Sequence, residues 1–219
     1  MASTAEPIEV RAIDWVRTNR RTAAIGGVVL ALLAGGTWFW WSARERRENF
    51  AERALSTARG SAEAGNLPLA TSDLARLVST YGGTRAAQEA ALLLAQVRLV
   101  QGQAALVVAD LQRFILSGPR DEFRGPANGL LGSALEETGQ FADASKAFHA
   151  ASDATPYSGV KAQYLLDAGR SATASGDTMQ AGRLFERVAT EFNGTPSAVE
   201  AEIRLGELRK AGLSGVRKS

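Results

Sequence analysis

Five glycines, Gly65, Gly102, Gly139, Gly176 and Gly212, follow one another at separations of 37, 37, 37 and 36 residues. A period held that closely specifies a repeat architecture, in which each unit buries its apolar face by stacking on its neighbours. Counted from those glycines, the ninth residue on is Leu74, Leu111, Phe148 or Phe185, and the twelfth is Leu77, Phe114, Ala151 or Val188. The fifth residue on is Ala70, Val107, Ala144 or Ala181, and the seventh before is Ala58, Ala95, Gly132 or Gly169. Small residues at those last two positions let two helices cross closely. The seventeenth residue on is Gly82, Pro119, Pro156 or Asn193, all types that end helices. Each unit therefore reads as helix, glycine turn, helix, breaker.

No strand-like alternation interrupts this pattern, and the chain after Arg44 is rich in alanine, leucine, glutamate and arginine. The spacing predicts an all-α chain with helices over roughly 43–64, 67–80, 84–101, 104–116, 123–138, 141–153, 158–175, 178–192 and 196–212. Thr195 and Pro196 supply an N-cap and a first-turn proline for the last helix. With Glu200, Glu202, Glu207, Arg209 and Lys210, that helix is expected to cap the stack, and the tail over 214–219 to fray.

In order, these positions resemble the small, small, aromatic and proline positions of the tetratricopeptide repeat, although its period is usually about 34 residues and the first unit here lacks the aromatic. The resemblance implies a right-handed superhelix of four hairpins and a capping helix over 42–213. It also implies a groove lined by the first helix of each pair. Residues six before each glycine, Arg59, Gln96, Ser133 and Arg170, make one polar row for it. Residues ten before, Leu55, Leu92, Gly129 and Leu166, make a largely apolar row. Two such rows suit an extended or helical protein segment.

Ahead of the repeats, Thr22 to Trp41 runs TAAIGGVVLALLAGGTWFWW, 20 residues without a charge. At about 1.5 Å per residue that is about 30 Å of helix, the thickness of a hydrocarbon core. The run predicts a single transmembrane signal-anchor helix over 22–41, behind a short cytoplasmic arm over 1–21. Arg20 and Arg21 flank one end and Trp38, Trp40, Trp41 and Arg44 the other, as interface anchors. A cleaved signal peptide is the rival reading, but its core is usually shorter and ends in small residues rather than tryptophans. Ala23, Gly27, Ala31 and Gly35 recur every four residues and form a ridge on which another helix can pack. Four arginines precede the run within about 20 residues and five follow, so the positive-inside count leaves the orientation open. The following SARERRENF holds no proline or glycine, so the helix is expected to continue into the first repeat.

Composition excludes several chemistries. Zero cysteines and a single histidine, His149, rule out a disulfide framework, a thiol nucleophile and the usual zinc ligand sets. Glu136 and Glu137 are adjacent on a helix and point about 100° apart, which suits neither a shared proton nor a metal. No glycine pair has the context of a phosphate loop, and no serine or threonine lies in a nucleophile motif. A net charge of +2, with bases and acids interleaved, disfavours nucleic acid. The expectation is a protein that is not an enzyme and needs no cofactor.

Trp15, Asn19 and Gly27, with the cluster from Trp38 to Trp41, give W-x-x-x-N, an apolar run and W-x-W. This arrangement resembles the amino terminus of the YfgM-type family of ancillary Sec translocon subunits. The resemblance implies a single-pass protein of the bacterial inner (cytoplasmic) membrane with its C-terminal domain in the periplasm. Its implied partners are translocon subunits, periplasmic chaperones and translocated polypeptides. The arm departs from that family in being nearly neutral, with four arginines against Glu6, Glu9 and Asp14. Two alternatives stay open on the residues alone: a cell-envelope or outer-membrane assembly factor of the same repeat class, and a homo-oligomer joined through the ridge or an open end of the repeats.

Overall fold

The structure, a computed structural model, describes residues 20–216, apart from the side chains of residues 20, 22–23, 25–31 and 211–216. The chain divides into two compact units, Met1–Phe50 and Ala51–Ser219. Among the described residues there are nine helices and no strand. They are α1 Arg20–Glu63, α2 Leu67–Thr80, α3 Arg85–Val100, α4 Ala104–Leu116 and α5 Asp121–Glu137. After these come α6 Phe141–Ala154, α7 Ser158–Ala174, α8 Thr178–Glu191 and α9 Pro196–Val216.

The periodic glycines make the turns inside the hairpins. Gly65, Gly102, Gly139 and Gly176 have φ between 72° and 87°, a region that admits glycine without the Cβ clash other residues suffer. Gly212 departs from the expectation, because α9 runs through it to Val216. Between hairpins the helices end at the expected breakers, although the positive-φ residues are the neighbouring Gly83, Gly118 and Gly194. Helix starts are capped locally. Asn66, Thr84 and Asp177 accept from the backbone N–H groups of Leu69, Ala87 and Gln180 at 3.3, 3.1 and 2.9 Å. Thr195 caps α9 by accepting from Ala198 N–H at 3.2 Å, ahead of the first-turn Pro196 as the sequence predicts. The fifth helix begins at Asp121, two residues before its expected start, and carries Pro126 within it.

The apolar positions of the repeat are the core. Ala70, Val107, Ala144 and Ala181 are each 0% exposed, and Leu74, Leu111, Phe148 and Phe185 are buried. One cluster joins Ala51, Leu55 and Ala58 to Leu74, Leu77 and the Ala87, Ala90, Leu94 and Val97 face of α3. A second joins Leu92 and Ala95, on the other side of α3, to the helices from α4 to α9. Thus α3 is shared by both clusters, as stacked repeats require.

Helix α1 passes from Arg20 to Glu63 without a break. Among the described residues no helix is long and apolar enough to cross a membrane. The expected transmembrane span is therefore not established by the described part of the run, whose most apolar stretch, 25–31, lies outside the described side chains. The same holds for the side chains of Arg20, Ala23, Gly27 and Ala31. Trp15, Asn19, the arm as far as residue 19, and residues 217–219 of the tail lie outside the described residues altogether. Gly35 is described, and nothing lies within 4 Å of where its Cβ would be.

Candidate functional site

Within the second unit, two pairs of first helices from successive hairpins touch each other, α3 with α5 and α7 with α9. Second helices splay instead. Between α2 and α4 the splay leaves a cavity of about 690 Å³ with Ala75, Val78, Leu94, Leu111 and Phe114 on its walls and the Arg98–Asp110 ion pair at its edge. The side on which neighbouring helices are closer is the inner face of a stack, so the first helices line it.

The polar row expected there sits on the surface: Arg59, Gln96 and Arg170 are exposed and Ser133 is partly so. The apolar row expected beside it is a correction. Leu55, Leu92 and Leu166 are 4%, 9% and 0% exposed and belong to the core, while Gly129 is covered by the ring of Tyr164. Helical phase is the reason. At about 100° per residue, the position ten before the turn glycine lies only about 60° from the small residue seven before it, which faces the partner helix.

The residues that do share the inner face are nine before the glycine, where Leu93 and Leu130 are half-buried and Asp167 stands in the last hairpin. Thirteen before it stand Glu89 and Gln163. These went unrecognised in the sequence because the leucine pairs Leu92–Leu93 and Leu130–Leu131 offer two phases, of which only one buries the first leucine.

Ion pairs lace this face. Arg59 Nη2 lies 2.5 Å from Glu89 Oε1, Glu89 is 3.5 Å from Arg85, and Arg85 Nε donates to Glu122 at 2.9 Å. Charges thus alternate across α1, α3 and α5, and Arg85 also stands 5.8 Å over the ring of Phe123. In the last hairpin, Asp167 accepts from Gln163 at 3.2 Å and pairs with Arg170 at 3.1 Å. Ser171 donates to Glu136 of α5 at 2.6 Å. Burial holds the Asp167 carboxyl above its ordinary range; Gln163 and Arg170 pull it down, and Glu136 and Glu200 push it up. The Tyr164 phenol beside it is raised by burial and by Asp167.

Half-buried leucines framed by paired charges and amides form a surface of the kind that takes up another polypeptide. The fold and this face define a helical-repeat scaffold of the protein-interaction class. The chain matches the family described as tetratricopeptide repeat-like domain over residues 14–157, and it belongs to that family. Among solved structures it is similar to the putative kinesin light chain of Podosopora anserina, described as nearly identical tetratricopeptide-like repeats. The identity is 18% and the TM-score 0.60, with 76% of this chain and 89% of that chain covered. A point variant of the same fungal protein matches at 18% identity and TM-score 0.60, covering 76% of this chain and 88% of that one. At that identity the likeness speaks for the fold. No curated protein matches the chain.

Proposed function

We propose that this chain is a non-enzymatic, membrane-anchored scaffold that holds a segment of a protein partner on its first-helix face. The partners are those implied by the YfgM resemblance: the Sec translocon, periplasmic chaperones and polypeptides leaving the channel. The observation that carries the binding reading is the inner face, where Leu93 and Leu130 are half-buried and the first helices also carry exposed Arg59, Gln96 and Arg170. Apolar contacts there would supply affinity, and the paired charges would set the register of a bound segment.

Anchoring rests on the uncharged run and on its far end. Trp38, Phe39, Trp40 and Trp41 are between 62% and 72% exposed, an aromatic cluster that suits a membrane interface. The Arg44 guanidinium lies 5.4 Å over the Trp40 ring, as a headgroup-level cation would. The C-terminal unit is assigned to the periplasm of a bacterial inner membrane on the resemblance.

Photocrosslinkers at Leu93, Gln96 and Leu130 test the face against a secretory polypeptide stalled during export. Crosslinks that fall when Arg59 and Arg170 are both replaced by Glu are expected. Capture unchanged by that double substitution removes the groove. A phosphatase fused after Ser219 is expected to be active in the periplasm, and a fluorescent protein fused before Met1 to fold in the cytoplasm. The reverse pattern overturns the localisation.

A further inference from the structure

The last helix carries the core signature of a first helix but leaves it uncovered. Ile203 stands 37 residues after Leu166, and Gly206 stands 37 after Gly169. At the equivalent positions of earlier hairpins Leu55, Leu92 and Leu166 are buried, and Gly132 and Gly169 are filled by the rings of Phe148 and Phe185. In α9, Ile203 is 58% exposed, Val199 is 57% exposed, and nothing lies within 4 Å of a Cβ built on Gly206. Its opposite side is engaged: Ala198 and Ala201 are buried, and Leu205 and Leu208 pack on the core.

We propose that this outer face of α9 pairs with the α9 of a second copy of the chain, antiparallel about Gly206. Three features of the helix select that occupant. Val199, Ile203, Gly206 and Lys210 follow at spacings of 4, 3 and 4, the stripe that two helices share along a common seam. Gly206 carries no side chain, so two such helices can approach closely where they cross. Charge is self-complementary about the same point. Glu202 lies four residues before Gly206 and exposed Lys210 lies four after, so antiparallel pairing sets each Glu202 against the Lys210 of the other copy. Parallel pairing would oppose like charges at both places. The contact is isologous, as two-fold pairs are, and closes on itself. It rests on the repeat geometry and stands independently of the proposed binding of a partner on the inner face.

The absence of cysteine makes the test direct in the full chain. Under mild oxidation Gly206→Cys is expected to form a disulfide-linked dimer, since a disulfide demands Cα atoms within about 7 Å. Glu202→Cys and Lys210→Cys alone are expected to stay monomeric on denaturing gels, and their mixture to give a hetero-disulfide. Glu202→Lys is expected to weaken self-association of the unoxidised chain by about tenfold, because two attractive contacts become repulsive. Glu202→Lys with Lys210→Glu is expected to restore it. The three substituted positions, Glu202, Gly206 and Lys210, lie on one side of α9, and far-UV circular dichroism checks that each variant keeps its helices. Failure of Gly206→Cys to crosslink overturns the proposal, as does a Glu202→Cys homodimer, which is the parallel outcome. A light-scattering mass of one chain for the unmodified protein, with α9 instead covered by a different polypeptide, overturns it too.

Discussion

The ring of Phe185 lies over the Cα of Gly169 so closely that a Cβ built on the glycine would stand 2.5 Å from Phe185 Cε1. Gly132 and Phe148 repeat the relation at 2.7 Å. In the first two hairpins the same two positions hold Ala58 with Leu74 and Ala95 with Leu111. Each hairpin thus matches a larger knob to a smaller socket, which is the volume conservation that close-packed interiors enforce.

Gly169→Ala is accordingly expected to destabilise the chain by about 1–3 kcal/mol through overpacking, outweighing the helix-propensity gain of up to about 1 kcal/mol. Gly169→Ala with Phe185→Leu recreates the alanine–leucine pairing of the first hairpins and is expected to be more stable than Gly169→Ala alone. Denaturant melts of the two variants decide it. If the double variant is no more stable than the single one, packing at this pair is not what sets the residue sizes.

The two rows of the first helices separate by stability. Leu166→Ala empties a fully buried site and is expected to cost about 2–5 kcal/mol, whereas Arg170→Ala breaks an exposed pair and is expected to cost less than about 1 kcal/mol. Equal losses would place Leu166 back on the surface. Glu89→Ala removes the link between Arg59 and Arg85 and is likewise expected to cost less than about 1 kcal/mol, with the difference shrinking at high salt.

The repeat was legible because its period, turn glycines and size-matched positions are properties of single residues. Gly65, Gly102, Gly139 and Gly176 all fall where backbone φ must be positive, and the sequence places them without help from tertiary contacts. The inner face was harder to read. Choosing between Leu92 and Leu93, or between Leu130 and Leu131, needs the helical phase relative to the small residue at Ala95 or Gly132. That phase was available: positions six, nine and thirteen before the turn glycine lie about 100–160° from the small residue. What no pattern of residue types shows is which charges meet across hairpins. Arg59 reaches Glu89 at a separation of 30 residues, and Arg85 reaches Glu122 at 37. Position Gly212 misleads for a related reason, because a glycine permits a turn but only a returning second helix requires one.

Asp167 makes stability depend on pH in a definite direction. Its carboxyl holds a proton more tightly in the folded chain than in the unfolded one, since burial raises its pKa against the pull of Gln163 and Arg170. Stability from this group is fully present below the unfolded carboxylate range and is lost as pH rises through the raised folded value. Asp167→Asn removes the titration while keeping an acceptor for Gln163. It is expected to raise the melting temperature at pH 7 and to leave it unchanged below about pH 3.5, under the ordinary carboxylate value. A variant less stable than the parent at pH 7 would show that the Arg170 pair outweighs burial.

Membrane anchoring is tested most sharply within the uncharged run of α1, at Leu32 and Leu33, which are 70% and 60% exposed. Under the proposed anchoring, lipid is the solvent that would cover these two leucines. The full chain is therefore expected to remain with membranes after alkaline carbonate extraction. Leu32→Lys with Leu33→Lys places two charges near the middle of the run, at a cost of about 2.5–3.5 kcal/mol each on insertion scales. The double variant is expected to move largely to the extracted fraction. Trp40→Ala and Trp41→Ala, at the interface end, are expected to leave the chain membrane-bound, because an interfacial aromatic fixes depth rather than supplying the insertion energy. Extraction of the unmodified chain, or retention of the double-lysine variant, would remove the anchor and leave the repeat unit as a scaffold without it.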